Sequence, residues 1–168
     1  ARKESSAASD VYKRQSPYSP ASRLFLNVLF IEIPAVAEFE SSDRVRAMAA
    51  TPEFRRDLAH CRDAPLVDYA AVARLKLPLL RALFEVFRNT ADSARSRAFQ
   101  DFRRQQGDAL ERFCLFQALR EHFAAQAPPQ ADWRNWPKEY QDPVSSSVAR
   151  FAQQHRGRID FLAWTQWI

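Results

Sequence analysis

General acid/base work needs two carboxylates that converge on one cleft, in surroundings that separate their pKa values. The candidates are Glu32, Asp43, Glu53, Asp68, Asp101, Glu111 and Glu121, and they mostly sit at helix caps or on polar helix faces. Those positions suit structural duty, as caps and partners of the helix dipole, and no pair stands out. His60, His122 and His155 fall in helical stretches without a second His or a carboxylate at ligand spacing, so ordinary surface or half-buried histidines are expected. Cys61 and Cys114 share no Cys-x-x-Cys or Cys/His spacing. Two such thiols point to a reducing compartment and inert, buried cysteines rather than a zinc site or a disulfide frame. Ser145-Ser146-Ser147 is a cap-and-turn cluster without the glycines of a nucleophile elbow. From the residues alone no catalytic constellation and no metal site is visible.

Two stretches are unusual for scaffolding. Ser16-Pro17-Tyr18-Ser19-Pro20 places a tyrosine between prolines, which stiffen the backbone and hold the phenol in one direction. A fixed aromatic ring beside hydroxyls suits a sugar, which offers an apolar ring face to stack and hydroxyls to hydrogen-bond. A packed loop tyrosine is the plainer alternative. Trp133-Arg134-Asn135-Trp136-Pro137 has the composition of a stacking platform, against the commoner outcome of tryptophans buried under a loop.

The elements that must position these groups are mainly helical. Val28–Ile33, β-branched and aromatic and closed by Pro34, reads as a strand buried on both faces, the one convincing strand of the chain. A single strand lacks a ladder partner, so its companions are expected elsewhere in a longer protein. Thr51-Pro52-Glu53 opens a short helix to about His60. Asp68 caps the next, whose apolar stripe runs from Tyr69 to Phe87, with Pro78 expected to kink it near Arg74 or Leu75. A helix over 93–106 stops at Gly107, and Asp108 opens one to Ala125 that is apolar on more than one face. An ordered loop over 127–143 leads to an amphipathic helix over 147–155, ended by Gly157, and Asp160 caps a last apolar helix.

Composition bounds the function. The chain has 168 residues, enough for one domain or part of a larger one. Only two glycines weigh against a β-rich fold and against a glycine loop cradling a phosphate. No apolar run approaches the roughly 18 residues of a membrane helix, so no membrane partner is expected. The net charge of +5 is carried by arginine, since only four of the 25 basic residues are lysine. Interleaved with Asp and Glu along helices, these arginines read as a solvated face rather than a nucleic-acid surface. No basic-then-apolar leader opens the chain, which suits a cytoplasmic protein. Residues 1–15 are polar, without hydrophobic period, and Asp10-Val11-Tyr12-Lys13-Arg14-Gln15 resembles a reading frame of a transposase end sequence used as a library adapter. They are expected to be an adapter artefact or a disordered tail, leaving 16–168 as the meaningful chain.

Within 16–168 the chain resembles the 4-alpha-glucanotransferases called amylomaltases, glycoside hydrolase family 77. The matching segments are Ser16 to Asn27, Leu29-Phe30-Ile31, Val67-Asp68-Tyr69 with Leu75-Lys76, Phe116-Gln117-Ala118-Leu119, Trp133 to Pro137, and Phe161 to Trp167. Each is short; their order and spacing make the match specific. Val28 stands where the family usually has Pro, a change that loosens the loop without touching a polar group.

The resemblance implies a fragment of a (β/α)8 TIM barrel with helical insertions, seen here as mostly α, with five or six helices and one or two short strands. It implies an enzyme that moves α-1,4-glucan segments between maltodextrins in the cytoplasm, by a retaining double displacement without metal or organic cofactor. An Asp attacks the anomeric carbon, a Glu protonates the leaving sugar, and a second Asp grips the donor; in the family all three follow the Gln166-Trp167 segment. No catalytic residue therefore carries over to this chain, and the chain alone is expected to be inactive. Tyr18, and with it Ser16, match positions lining the donor side of the cleft. Trp133 and Trp136 match structural positions. The rival readings are a free-standing helical carbohydrate-binding module and an Arg-rich module binding a protein or nucleic acid.

Overall fold

The computed structural model describes residues 22, 24–90, 93–126, 129–130 and 132–168. Among them are eight α-helical elements, three 3-10 turns and no strand. The helices are α1 (Ala37–Glu40), α2 (Asp43–Ala50), α3 (Pro52–Asp63), α4 (Tyr69–Arg88), α5 (Ala94–Ala124), α6 (Lys138–Gln141), α7 (Ser146–Gln154) and α8 (Arg156–Trp167). The 3-10 turns are Val28–Phe30, Ile33–Ala35 and Trp133–Asn135.

Short polar side chains start most of the longer helices by accepting an otherwise orphaned backbone N–H. Ser42 takes that of Val45, Thr51 that of Phe54 ahead of Pro52 in the first turn, and Asp68 that of Ala71. Ser93 takes that of Ser96, and Ser145 that of Val148. Pro78 sits inside α4, where it removes one backbone donor, and the helix continues past it to Arg88. Gly107 divides α5 in two: its φ of 56° and ψ of −146° lie where a side chain is strongly disfavoured, so the rod breaks there.

Helices α5 and α8 form the most extensive pair, with α4 against α8 beside it. Leu80, Leu83, Leu110, Cys114, Ala163 and Trp164 on these helices are fully enclosed, as is Val148 of α7. Phe84, Phe87, Phe99, Phe161, Trp164 and Trp167 continue this core as edge-on and tilted rings, with centroids 5.5–6.4 Å apart. Arg103 spans the break at Gly107: its guanidinium donates to Glu111 beyond the glycine and, at 2.7 Å, to Asp160 of α8. Val28, Leu29, Ile33 and Val36 join the same continuous core from the N-terminal side.

Three sequence expectations need correction. Val28–Ile33 forms no strand: Val28–Phe30 and Ile33–Ala35 are 3-10 turns, with Ile31 and Glu32 extended between them. No partner strand is present among the described residues, and caps, turns and one distant side chain satisfy the backbone instead. Asn27 caps the first turn, Pro34 stands in the first turn of the second, and the Leu29 and Ile31 carbonyls find another donor. Gly157 does not end α7, because the break falls one residue past Gln154, at His155, and Gly157 lies in the first turn of α8. Asp160 is correspondingly inside α8 rather than its cap, and pairs with Arg103 and Arg156.

Candidate functional site

The sequence singles out Ser16 and Tyr18, and both lie outside the described residues. What the structure shows is how the chain directly after them is held. Ser22 Oγ accepts the N–H groups of Leu24 (3.0 Å) and Phe25 (3.3 Å), closing a tight bend. The Phe25 ring stacks on Phe113 of α5 at 4.5 Å. Leu26 is gripped from α8: its N–H donates to Gln166 Oε1 at 3.0 Å, and Gln166 Nε2 donates to its carbonyl at 3.1 Å. This pair imitates a strand partner, using a side-chain amide in place of a peptide group. Asn27 Oδ1 accepts the Leu29 N–H at 3.0 Å.

Lys76 of α4 completes the attachment. Its ammonium donates to the carbonyls of Leu29 (2.6 Å) and Ile31 (2.8 Å). Burial pulls its pKa below the ordinary lysine value, partly offset by the Glu32 carboxylate. Segment 24–31 is therefore pinned from three helices, while the side chains of Leu24, Leu26 and Phe30 face outward, 80%, 78% and 68% exposed. Chemically the arrangement is a mount, which fixes the chain over residues 24–31.

The polar groups elsewhere serve the fold. Asp43 pairs with Arg46, Asp101 with Arg104, Glu111 with Arg103, and Glu121 with Arg158, while Asp68 caps α4. Glu38, absent from the sequence candidates, is a buried carboxylate on α1 held by both arms of Arg95, at 2.6 and 3.1 Å. Arg95 also lies 4.5 Å over the Trp167 ring. Several arginines thus work within the chain.

His122 and His155 do approach each other, with ring centroids 5.6 Å apart, and Phe151 stacks on His155 at 4.1 Å. Burial, then the His155 ring, holds the His122 imidazole below its ordinary pKa. Cys114 is buried and its thiol pushed up to about 12, chiefly by desolvation, while Cys61 is half-buried with its pKa raised for the same reason. Neither is poised as a nucleophile. Among the described residues no group of three or more His, Cys, Asp or Glu is placed to hold a metal ion, and no helix is long and apolar enough to cross a membrane.

The two loop tryptophans part company. Trp136 is buried, stacks on Phe123 at 5.0 Å and donates from Nε1 to the Gln130 carbonyl at 2.8 Å. Trp133 stays 41% exposed. Sequence reasoning missed the roles of Gln166 and Lys76, although both fall in quoted segments. A side chain that bonds backbone 140 residues away leaves no local pattern.

Comparison with known proteins places these residues in context. The profile of the 4-alpha-glucanotransferase family matches residues 5–168. The 4-alpha-glucanotransferase of Haemophilus influenzae is 31% identical over 159 residues, covering 91% of this chain and 23% of that protein. That of Mycobacterium tuberculosis is 32% identical over 155 residues, covering 90% of this chain and 20% of its own length. That of Thermus thermophilus is 28% identical over 102 residues, covering 61% of this chain and 19% of its own length. The chain thus spans between 19% and 23% of these three relatives. By this match, and by the segments quoted from Ser16 to Trp167, the chain belongs to the 4-alpha-glucanotransferase family.

Proposed function

We propose that the chain is the part of a 4-alpha-glucanotransferase catalytic domain that presents the Ser-Pro-Tyr loop to the donor end of an α-1,4-glucan. In this reading residues 16–168 are a helical portion built onto a (β/α)8 barrel, and the protein that carries them moves glucan segments between maltodextrins. The observation that carries it is the family match along residues 5–168. The mount around Leu26 and Leu29 supports it, because a loop that orients a sugar ring must leave a fixed base.

The chemistry is a retaining double displacement. A carboxylate nucleophile and a carboxylic acid about 5–5.5 Å apart form and then resolve a glucosyl-enzyme, and a glucan 4-hydroxyl captures it in place of water. Both carboxyls belong to parts of the family outside the segments matched here. Tyr18 supplies a ring face and a phenol to the donor sugar, Ser16 a hydroxyl, and together they hold the scissile bond in line and exclude water. The ligand is an α-1,4-glucan, bound without a metal or organic cofactor, in the cytoplasm.

The test is maltotriose disproportionation by the full-length protein that carries this chain. The expected result is glucose together with longer maltodextrins. Tyr18→Ala should lower kcat/KM by at least tenfold, and Ser16→Ala by less. The 168-residue chain assayed alone should give no transfer. Transfer that Tyr18→Ala leaves unchanged overturns the role of the loop, and transfer by the chain alone overturns the placing of the carboxyls outside it.

A further inference from the structure

Helices α4, α5 and α8 line a cavity of about 530 Å³ that shares no residue with the Leu26 mount. Its size is within the range of small-molecule sites. Its apolar part includes Phe84 of α4 and Phe161 of α8, set edge-on with centroids 5.6 Å apart. Charge comes from every element around it. Helix α4 brings Arg81, Glu85 and Arg88, and α5 brings Glu121 and His122. Helix α8 brings Arg158, with His155 directly ahead of its first residue.

The charges are arranged for an anion. Arg158 Nε donates to Glu121 at 2.6 Å, and that guanidinium lies 4.6 Å over the Phe161 ring. Glu85 meets Arg88 at 3.4 Å, and Arg88 lies 5.8 Å over Phe84. Both carboxylates thus face guanidiniums, and with Arg81 the lining sets three arginines against two acids. Two imidazoles add to it. His122 and His155 stand with ring centroids 5.6 Å apart, Phe151 stacks on His155 at 4.1 Å, and the Gln126 amide meets His122 Nε2 at 3.1 Å. Imidazole is the side chain that gains charge as pH falls through the neutral range. Burial, and after it the His155 ring, keeps His122 below its ordinary pKa, so a negative charge beside the pair would relieve that opposition.

A divalent cation gains little here, because guanidiniums hold both carboxylates, and a neutral ligand leaves the excess positive charge unanswered. A compact dianion answers it: guanidiniums bind phosphate oxygens in pairs, and each imidazolium adds a charged donor. We propose that this cavity binds a small phosphomonoester, with its dianionic phosphate among Arg81, Arg88, His122 and His155 and its carbon part on the Phe84 and Phe161 side. Binding strengthens as the pH falls, because the imidazoles then add to the charge that holds the phosphate. The site does not depend on what the Ser16/Tyr18 loop binds.

The experiment is isothermal titration calorimetry of the full-length protein that carries this chain, at constant ionic strength, with sodium sulfate and, separately, glycerol 3-phosphate. Sulfate stays a dianion between pH 5.5 and 8.0, so a change in its affinity belongs to the protein. The expected result is saturable sulfate binding, about tenfold tighter at pH 5.5 than at pH 8.0. At pH 8.0, where both probes are dianions, the ester should bind more tightly than sulfate. Arg88→Gln, at an exposed position, should weaken both about tenfold, while Glu85→Gln should tighten them. Replacing His122 and His155 together by Gln should remove the pH dependence. Thermal melts report that each variant is folded. No saturable binding of either probe at millimolar concentration overturns the proposal. So does binding that Arg88→Gln and Glu85→Gln both leave unchanged, which would put the anion elsewhere on the protein. Equal sulfate affinity at the two pH values overturns the part given to the imidazoles, and sulfate bound as tightly as the ester overturns the part given to the Phe84 and Phe161 side.

Discussion

The side-chain amide of Gln166 and the backbone of Leu26 exchange two hydrogen bonds, 3.0 and 3.1 Å long, across 140 residues of sequence. Each such bond contributes about 0.5–1.5 kcal/mol net. Gln166→Ala should therefore raise hydrogen exchange at the Leu26 amide by about tenfold, since 1.4 kcal/mol is a factor of ten. Gln166→Glu keeps an acceptor for the Leu26 N–H but sets an oxygen against its carbonyl, and should not restore protection. Unchanged exchange at Leu26 in both variants would show that the clamp holds nothing.

The two glycines should respond in opposite directions. A Cβ at Gly107 or Gly157 meets nothing within 4 Å, so space is not the issue at either. Gly107 has a φ of 56°, and Gly107→Ala should cost about 1–3 kcal/mol through backbone strain alone. Gly157 is helical within α8, and Gly157→Ala should stabilise by up to about 1 kcal/mol. Urea midpoints read both, and a shift of the same sign in each would contradict the backbone account.

Arg95 is the counter-charge of a carboxylate that water scarcely reaches: Glu38 is 6% exposed. Removing one partner of a buried pair costs about 3–5 kcal/mol, and Arg95→Ala should fall at or below the low end because Arg95 itself is 42% exposed. Glu38→Gln should cost less. The double variant should recover part of the Arg95→Ala loss, since no uncompensated charge remains. Thermal melts of the three variants check this; strictly additive losses would mean that the two groups act separately.

His122 makes stability depend on pH. Its folded-state pKa lies below the ordinary 6.5, so the unfolded chain takes up the proton first as pH falls. Its contribution is complete above about pH 6.5 and is lost as the pH drops through that value toward the folded pKa. His122→Gln should therefore lose less stability than the parent chain between pH 7.5 and 5.5, measured as urea midpoints. Equal losses would rule out His122 as a source of the dependence.

Helix starts were legible because their signals are local. Thr51-Pro52-Glu53, Asp68 and Ser145 each act on a backbone group three residues away, and Gly107 acts on its own dihedral angles. Gly157 misled because a helical glycine and a terminating one look alike in sequence, and the chain turns at His155 instead. Val28–Ile33 misled because an apolar β-branched run suits a strand and a buried turn equally, and the Leu29 and Ile31 carbonyls meet the Lys76 ammonium, a partner distant in sequence. Tyr18 drew attention through its flanking prolines. Gln166 and Glu38 could not, since each owes its role to a partner distant in sequence.

The last turn of α8 carries Gln166, bound to Leu26, and Trp167, under the guanidinium that neutralises Glu38. A ribosome making this protein releases Leu26 and Glu38 long before either of those residues exists. The stretch behind the tyrosine motif must wait for this last anchor until the helix carrying Gln166 has been made, 140 residues after Leu26.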